Sequence, residues 1–353
     1  MLIHRRLAAV LATLAMFVIS GTAQAAAVAH WTLDNDTSGL QNLGTDGATS
    51  NLIAAAAEAS IGGGPTFTAA GGAAGGFATF NGNQALIATM AGNVADDLSG
   101  YPFTISAWIR PTGIVGTGRA AAVGIINGAA ADQYMSVGVG TIAEGENLQG
   151  ARRNAAGFVG TNVPASAATI HNGNWHHVAG VYSNPTNFQL YLDGAQVAVD
   201  TTSVAFPGGI NSVGIGAMRR SAGFIDKYFG DVDDVWIFNE ALIGSQILFM
   251  KNNPGVAPPT IRPGDVNLDG LVNAADLQII ADHFYNTDAS RAEGDLNADG
   301  LVDFNDFRIW KTDSPVLAAG ASAVVPEPAS AVVAAGSLAV LLFVSARSRR
   351  NLV

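Results

Sequence analysis

The chain has 353 residues, of which 17 are Lys or Arg and 28 are Asp or Glu, for a formal net charge of −11, and it has no cysteine. Disulfide bracing and thiol chemistry are thereby excluded, and the acidity argues against nucleic acid as a partner. The length sets an expectation of about two domains.

Residues 1–25 open on His4-Arg5-Arg6, continue as an apolar run over 7–19 and close on Ala23-Gln24-Ala25. A basic start, a short apolar run and small residues at an A-x-A-like cleavage point predict a secretory signal peptide. The run is too short to span a membrane with those flanks. Without the five arginines of the two chain ends, 12 basic residues face 28 acidic ones, so the exported body is strongly acidic.

Residues 26–253 read as short alternating segments punctuated by Gly, Asn and Pro, the pattern of an antiparallel β-sandwich. In 101–111, Phe103, Ile105, Ala107 and Ile109 alternate with Thr104, Ser106, Trp108 and Arg110. Residues 174–183 keep the same period. Segments 188–192 and 195–199 flank Asp193-Gly194, a two-residue hairpin signal. Residues 230–239 predict another strand, and 240–250 a short closing helix or turn. The Ala- and Gly-rich stretch 48–76 predicts irregular loop. Its glycines at Gly62-Gly63-Gly64 and Gly71-Gly72 lack the basic or helical context of a phosphate cradle.

His30-Trp31-Thr32-Leu33-Asp34, Phe80-Asn81-Gly82, the PFTISAWIRP and NWHHVAGVY strands, the YLDG hairpin and the closing GDVDDVWIFNEAL stand in an order that resembles LamG-like (concanavalin A-like) jelly-roll domains. The resemblance covers about 220 residues and implies a two-sheet antiparallel sandwich. It also implies a glycan ligand, a protein ligand or none known, often with calcium, so that a further ion in the sandwich is allowed. The same fold hosts glycosidases with a Glu-x-Asp-x-x-Glu strand. Here the nearest match is Asp231-Val232-Asp233-Asp234-Val235-Trp236, with Trp236 where the acid/base carboxylate would stand. Asp231, Asp233 and Asp234 are read as a solvated strand edge, with a weak metal site as the alternative. His171, His176 and His177 are read as strand content, because adjacent strand residues face opposite ways. Trp31, Trp108, Trp175 and Trp236 are read as core rather than as a sugar-stacking platform. Arg110, Arg119, Arg152, Arg153, Arg219 and Arg220 are read as surface charge.

Residues 254–263 hold four prolines and predict a semi-rigid linker. Beyond it one design is stated twice, 30 residues apart: Asp265, Asn267, Asp269, Gly270, Leu271, Asn273 and Asp276, then Asp295, Asn297, Asp299, Gly300, Leu301, Asp303 and Asp306. Calcium takes about six to eight oxygens, which a 12-residue loop supplies from positions 1, 3, 5, 7 (a backbone carbonyl), 9 and 12, with Gly at 6 for the bend. Both copies fill every slot, and position 12 is Asp, one methylene shorter than the usual Glu. Val272 and Val302, at position 8, are placed to pair across the two loops. Pro258-Pro259 and Pro263-Gly264 forbid an entering helix, whereas Leu277, Ile280, Ala281 and Phe284 have helical spacing over 274–285.

Loop plus exit helix, twice over 264–314, resembles type I dockerins. That resemblance implies two calcium ions, metal-dependent folding and docking onto a cohesin-type domain. It places recognition at loop positions 10 and 11, here Ala274-Ala275 and Phe304-Asn305, which differ between the copies. Finally, Val325-Pro326-Glu327-Pro328, an apolar run over 329–346 and Arg347, Arg349 and Arg350 predict a C-terminal hydrophobic helix. Read by itself, the pattern is a membrane anchor. Over 325–350 it also resembles PEP-CTERM sorting signals, which implies an exosortase-type processing enzyme and a cell-envelope location. The expected architecture is mainly β with a small α-helical calcium module. The function read from it is non-catalytic binding or surface structure, with a cohesin-docked subunit and a glycoside hydrolase or lyase as alternatives.

Overall fold

The computed structural model describes residues 25–35, 40–45, 51–54, 62–89, 98–113, 119–127, 133–140, 147–162, 170–220, 223–297 and 299–314. The predicted hydrophobic tail 325–350 and all of the predicted signal peptide except Ala25 lie outside them. The chain divides into two compact units, with the main boundary between Ile261 and Arg262.

The first unit is built from β1 (Ala27–Trp31), β2 (Ile53–Ala54), β3 (Thr66–Thr68), β4 (Phe77–Asn81), β5 (Leu86–Thr89), β6 (Phe103–Pro111), β7 (Ala120–Asn127), β8 (Gln133–Val139) and β9 (Leu148–Asn154). It continues with β10 (Gly157–Asn162), β11 (His176–Asn184), β12 (Asn187–Leu192), β13 (Ala195–Asp200), β14 (Ser212–Ile215), β15 (Met218–Arg220), β16 (Gly223–Ile225), β17 (Phe229–Phe238) and helix α1 (Gly244–Asn252). One antiparallel sheet runs β13-β12-β11-β6-β17-β4-β3, with β1 also on β17. The other runs β10-β9-β8-β7-β14-β5-β2. Phe103, Ile105 and Ile109 of the first sheet meet Val123, Ile125, Met135 and Val137 of the second in one core, which makes the unit a two-sheet antiparallel sandwich.

The alternation read in 101–111 is therefore inward-facing at the expected residues. Its other face is buried too, because Trp236, Phe238 and Tyr191 on that side pack with Leu242, Ile247 and Met250. Asp193 (φ +51°) and Gly194 (φ +85°) make the hairpin turn between β12 and β13, the double positive φ that type I′ requires. Stretch 48–76 is not wholly irregular: β2 pairs with β5 and β3 with β4. Nor is 255–259 a free spacer. The Ala25 N–H donates to Pro258 O at 2.7 Å, Gly255 N–H to Asp234 Oδ2 at 2.8 Å and Gln246 Nε2 to Pro259 O at 2.8 Å.

Arg152 corrects the surface-charge reading, since it is only 1% exposed. Its guanidinium lies against Phe188, 2.9 Å from Asp200 Oδ2, and Nη1 donates to Thr202 O at 3.1 Å. Burial by itself would raise the Asp200 pKa, but bonds from Thr161 and Thr202 and the Arg152 charge outweigh it and hold the pKa at about 2. Asp200→Ala is expected to cost the sandwich about 3 kcal/mol, because it strands a buried guanidinium. Chemical denaturation measures this, and a cost under about 1 kcal/mol would show that the backbone carbonyls alone suffice for Arg152.

Candidate metal centre and the buried polar clusters

The second unit contains α2 (Ala274–Asp282), a 3₁₀ turn (Arg291–Glu293) and α3 (Phe304–Asp313). α2 is shorter than the expected 274–285 span. Ala281 faces solvent and Phe284 lies just beyond the helix. Gly270 and Gly300 have φ of +86° and +83°, a left-handed bend that glycine takes without steric penalty.

Each bend returns the chain so that the position-12 carboxylate closes over the start of its own loop. Asp276 Oδ1 accepts from Val266 N (2.8 Å) and Asn267 N (3.2 Å), and Oδ2 from Asn273 N (2.9 Å). Asp306 repeats the pattern with Leu296 N (2.8 Å), Asn297 N (3.2 Å) and Asp303 N (2.8 Å). Asp265, Asp276, Asp295 and Asp306, at positions 1 and 12, are all buried. The loops thus bring the ends of the ligand series together, as a hard divalent cation needs. The chemistry also fits, because buried carboxylates crowded together repel each other until a cation joins them. Among the described residues no three Asp, Glu or His side chains alone could hold a metal. A cation held here would therefore also draw on the amides of Asn267 and Asn297 and on backbone carbonyls such as those of Leu271 and Leu301.

Asp269 and Asp299 occupy position 5, and Asp299 Oδ1 already accepts from Leu301 N at 2.9 Å. Position 9 has a role that the loop pattern concealed. Asn273 Oδ1 accepts from Ala275 N (2.7 Å) and Asp303 Oδ1 from Asn305 N (2.6 Å), so both residues N-cap the exit helices. Val272 and Val302 meet in one small core, as their position in the two loops predicts. The backbone of Val302 pairs with Tyr285 and Asn286, while its side chain joins Val266, Val272, Ile280 and Trp310 in one small core.

Three further residues carry the module and have no motif to announce them. Arg291 Nη2 lies 2.9–3.0 Å from the carbonyls of Arg262, Pro263 and Asp265. Asp313 ties the two ends of the module, pairing with Arg262 at 2.7 Å and accepting from Gly264 N at 2.8 Å. Trp310 Nε1 donates to Asn273 O at 2.9 Å, linking α3 to the first loop.

In the sandwich, Asp231, Asp233 and Asp234 are buried, which corrects the solvated-edge reading: β17 is a central strand. Asp231 accepts from Arg110 Nε (2.8 Å) and Thr79 Oγ1 (2.6 Å). Asp234 meets His30 Nε2 (2.8 Å) and Trp236 Nε1 (2.7 Å), and His30 stacks on Trp236 at 3.4 Å. Trp31, Trp108 and Trp236 are core, whereas Trp175 is half-buried and shares Arg110 with Phe77. His176 pairs with Asp193 at 2.8 Å. His177 turns the other way into the protein beside Ser106 Oγ at 2.9 Å. Burial lowers its pKa to about 4, against the charges of Asp234 and Asp193.

Residues 81–248 match the family model described as the concanavalin A-like lectin/glucanases superfamily, and residues 263–312 that of the dockerin type I domain. The chain carries a concanavalin A-like domain followed by a dockerin type I domain. No curated protein matches it. Among solved structures, domain 4 of AbnA, a GH43 extracellular arabinanase from Geobacillus stearothermophilus, in complex with arabinotriose, is similar at 18% identity. That match covers 65% of this chain and 99% of the other, with a TM-score of 0.45. The botulinum neurotoxin serotype G binding domain is similar at 12% identity, over 64% and 50% of the two chains, with a TM-score of 0.44. The binding domain of Paraclostridial Mosquitocidal Protein 1 gives 15%, 64%, 52% and 0.42. This chain spans about half the length of the two toxin domains.

His177 sets a pH test for the concanavalin A-like domain. Its folded pKa lies below its unfolded one, so the unfolded state binds the extra proton and stability falls as pH drops from about 6.5 to 4. Relative to His177→Gln, which cancels the other titrating groups, the wild type should lose about 3 kcal/mol across that window. Parallel pH profiles for the two proteins would contradict it.

Proposed function

We propose that this chain is an exported, envelope-associated, non-catalytic binding or structural protein. In this reading the sandwich engages a polysaccharide or a surface protein, and the dockerin domain attaches it to a cohesin-type partner in a calcium-dependent manner. The observation that carries the reading is the twofold closure of Asp276 and Asp306 over their own loops, with matching bonds in both copies. Dockerin type I domains are calcium-binding modules that bind cohesins, and two ions is the number that the two loops imply. Among the described residues no helix is long and apolar enough to cross a membrane. Envelope attachment and exosortase processing rest on the sequence of 325–350 alone.

The non-catalytic reading is supported by how the carboxylates of β17 are used. Asp231 is taken up by Arg110 and Thr79, and Asp234 by His30 and Trp236.

The docking face is assigned to α3. Phe304 and Tyr285 are 69% and 70% exposed and both rings stand edge-on to Phe284, at 5.1 and 4.8 Å. Arg308 and Lys311 are exposed on the same helix. The register-equivalent positions on α2 are Ala274, Gln278 and Ala281, which offer neither aromatic surface nor charge. Exposed aromatics and Arg anchor interfaces far more often than Ala does.

Docking should therefore run through one helix. In a pull-down with a cohesin, chelator is expected to abolish capture, Phe304→Ala to weaken it at least about tenfold, and Ala274→Ser to leave it unchanged. Calorimetry should show chelator removing the transition of residues 264–314 while the sandwich transition remains. Capture that survives chelation would refute the calcium-dependent attachment.

A further inference from the structure

The sequence contains Asn81-Gly82, Asn127-Gly128 and Asn172-Gly173. In an Asn-Gly pair the glycine nitrogen can attack the asparagine side-chain carbonyl, because no Cβ on the second residue hinders ring closure. By residue type the three pairs are equal. Asn127 is buried, and Gly128 lies outside the described residues. The other two asparagines are exposed, and their surroundings differ.

At Asn81 the nitrogen that would attack is occupied. The Gly82 N–H donates to Tyr228 O at 3.0 Å, and Asn81 is paired with Phe229 across β4 and β17. Asn172, Gly173 and Asn174 lie exposed just ahead of β11. Among the described residues nothing accepts the Gly173 N–H. Gly173 has a φ of +78° and open space where a Cβ would stand.

The Asn172 carbonyl is also activated. Its Oδ1 accepts from Asn174 N at 2.8 Å, an Asx turn that fixes which end of the amide is the oxygen. His176 Nε2 lies 3.2 Å from the same oxygen, and His176 Nδ1 lies 2.8 Å from Asp193 Oδ2. Both partners are acceptors, so the ring serves them together only with a hydrogen on each nitrogen. Asn172 Oδ1 thus faces two N–H donors, one of them cationic and backed by a carboxylate. Asn81 Oδ1 has the Asn83 N–H at 3.0 Å and no histidine.

We propose that Asn172 is a self-modification site, at which the Asn174 N–H and His176 form an oxyanion hole for attack by the Gly173 nitrogen on Asn172 Cγ. As the new N–C bond forms, the Gly173 nitrogen gives its proton to water. Negative charge collects on Oδ1, where the two donors meet it. The tetrahedral adduct then breaks its bond to Nδ2, which takes up a proton and leaves as ammonia. One water opens the resulting succinimide at either carbonyl, to an aspartyl or an isoaspartyl residue. The product adds a negative charge beside Asp193. The isoaspartyl form also lengthens the main chain by one methylene between Ile170, in the core, and Trp175, whose indole holds Gly71 O at 3.1 Å.

The full chain, incubated at neutral pH and mapped by peptide mass spectrometry with isoaspartate detection, tests this. In the folded protein Asn172 should convert at least about tenfold faster than Asn81. It should also convert faster than Asn172 of the same chain unfolded in denaturant, the reverse of what mere burial or rigidity would do. His176→Gln should slow Asn172 at least about tenfold and leave Asn81 unchanged. A folded rate at Asn172 at or below the unfolded rate overturns the proposal, as does an unchanged rate in folded His176→Gln. If His176→Gln does not fold, the comparison of folded with unfolded wild type decides by itself.

Discussion

Strand β17 is the constraint on which the first unit depends. One of its edges pairs with β6 along nearly its whole length, while the other pairs with β4 over its first half and with β1 over its second. The change of partner falls at Asp233 and Asp234, where the register to β6 shifts and Asp234 takes a φ of +48°. A strand with neighbours on both edges and cover on both faces has no solvent for its acids. Each acid is therefore compensated in a different way: Arg110 for Asp231, a glycine turn for Asp233, and His30 with the indole of Trp236 for Asp234. The bulge makes this workable, because strict alternation would have sent Asp233 and Asp234 to opposite faces.

The second unit meets the same difficulty on a smaller scale. It buries five core side chains, Val266, Val272, Ile280, Val302 and Trp310, which is a small core for a module of about 50 residues, and units of that size generally need a staple. With no cysteine available, the staples are polar. The Asp313 clasp, Arg291 on three carbonyls and the position-12 carboxylates all hold backbone rather than side chains. Because the same three bonds recur at Asp276 and Asp306, each loop is closed by its own helix. The module is thus two copies of one self-capping unit, joined through shared apolar residues that recur at the 30-residue repeat, such as Val272 with Val302 and Ile280 with Trp310.

Much of this was legible in the residues. The inward row of β6, the Asp-Gly hairpin and the glycine bends of both loops followed from periodicity and turn chemistry, which are local. What escaped depended on where a strand lies in its sheet. Asp-Val-Asp-Asp reads as a solvated edge unless β17 is known to be central, and Arg152 reads as surface until Asp200 arrives from 48 residues further along the chain. Ala281 has helical spacing yet faces solvent, because apolar period does not distinguish alanine on the dry side of a helix from alanine on the wet side. Position 9 was read for its oxygen, and the oxygen serves as an N-cap, a role the same residue types satisfy equally well.

These residues also show what kind of acidity this protein has. Among the described residues seven aspartates are buried, three in the sandwich and four in the dockerin loops. Asp231 and Asp234 are met by side chains, Asp231 by the Arg110 guanidinium and Asp234 by His30 and the Trp236 indole. Asp233, Asp276 and Asp306 are held chiefly by backbone N–H groups, which satisfy lone pairs and supply only partial positive charge. Hydrogen bonding of that kind fixes the geometry of an anionic site without neutralising it. In the dockerin loops, a divalent cation would complete that compensation with no change in backbone path. Such an arrangement would link folding of the dockerin domain to the ionic composition of the surroundings. Disulfides would have supplied the stability without that dependence.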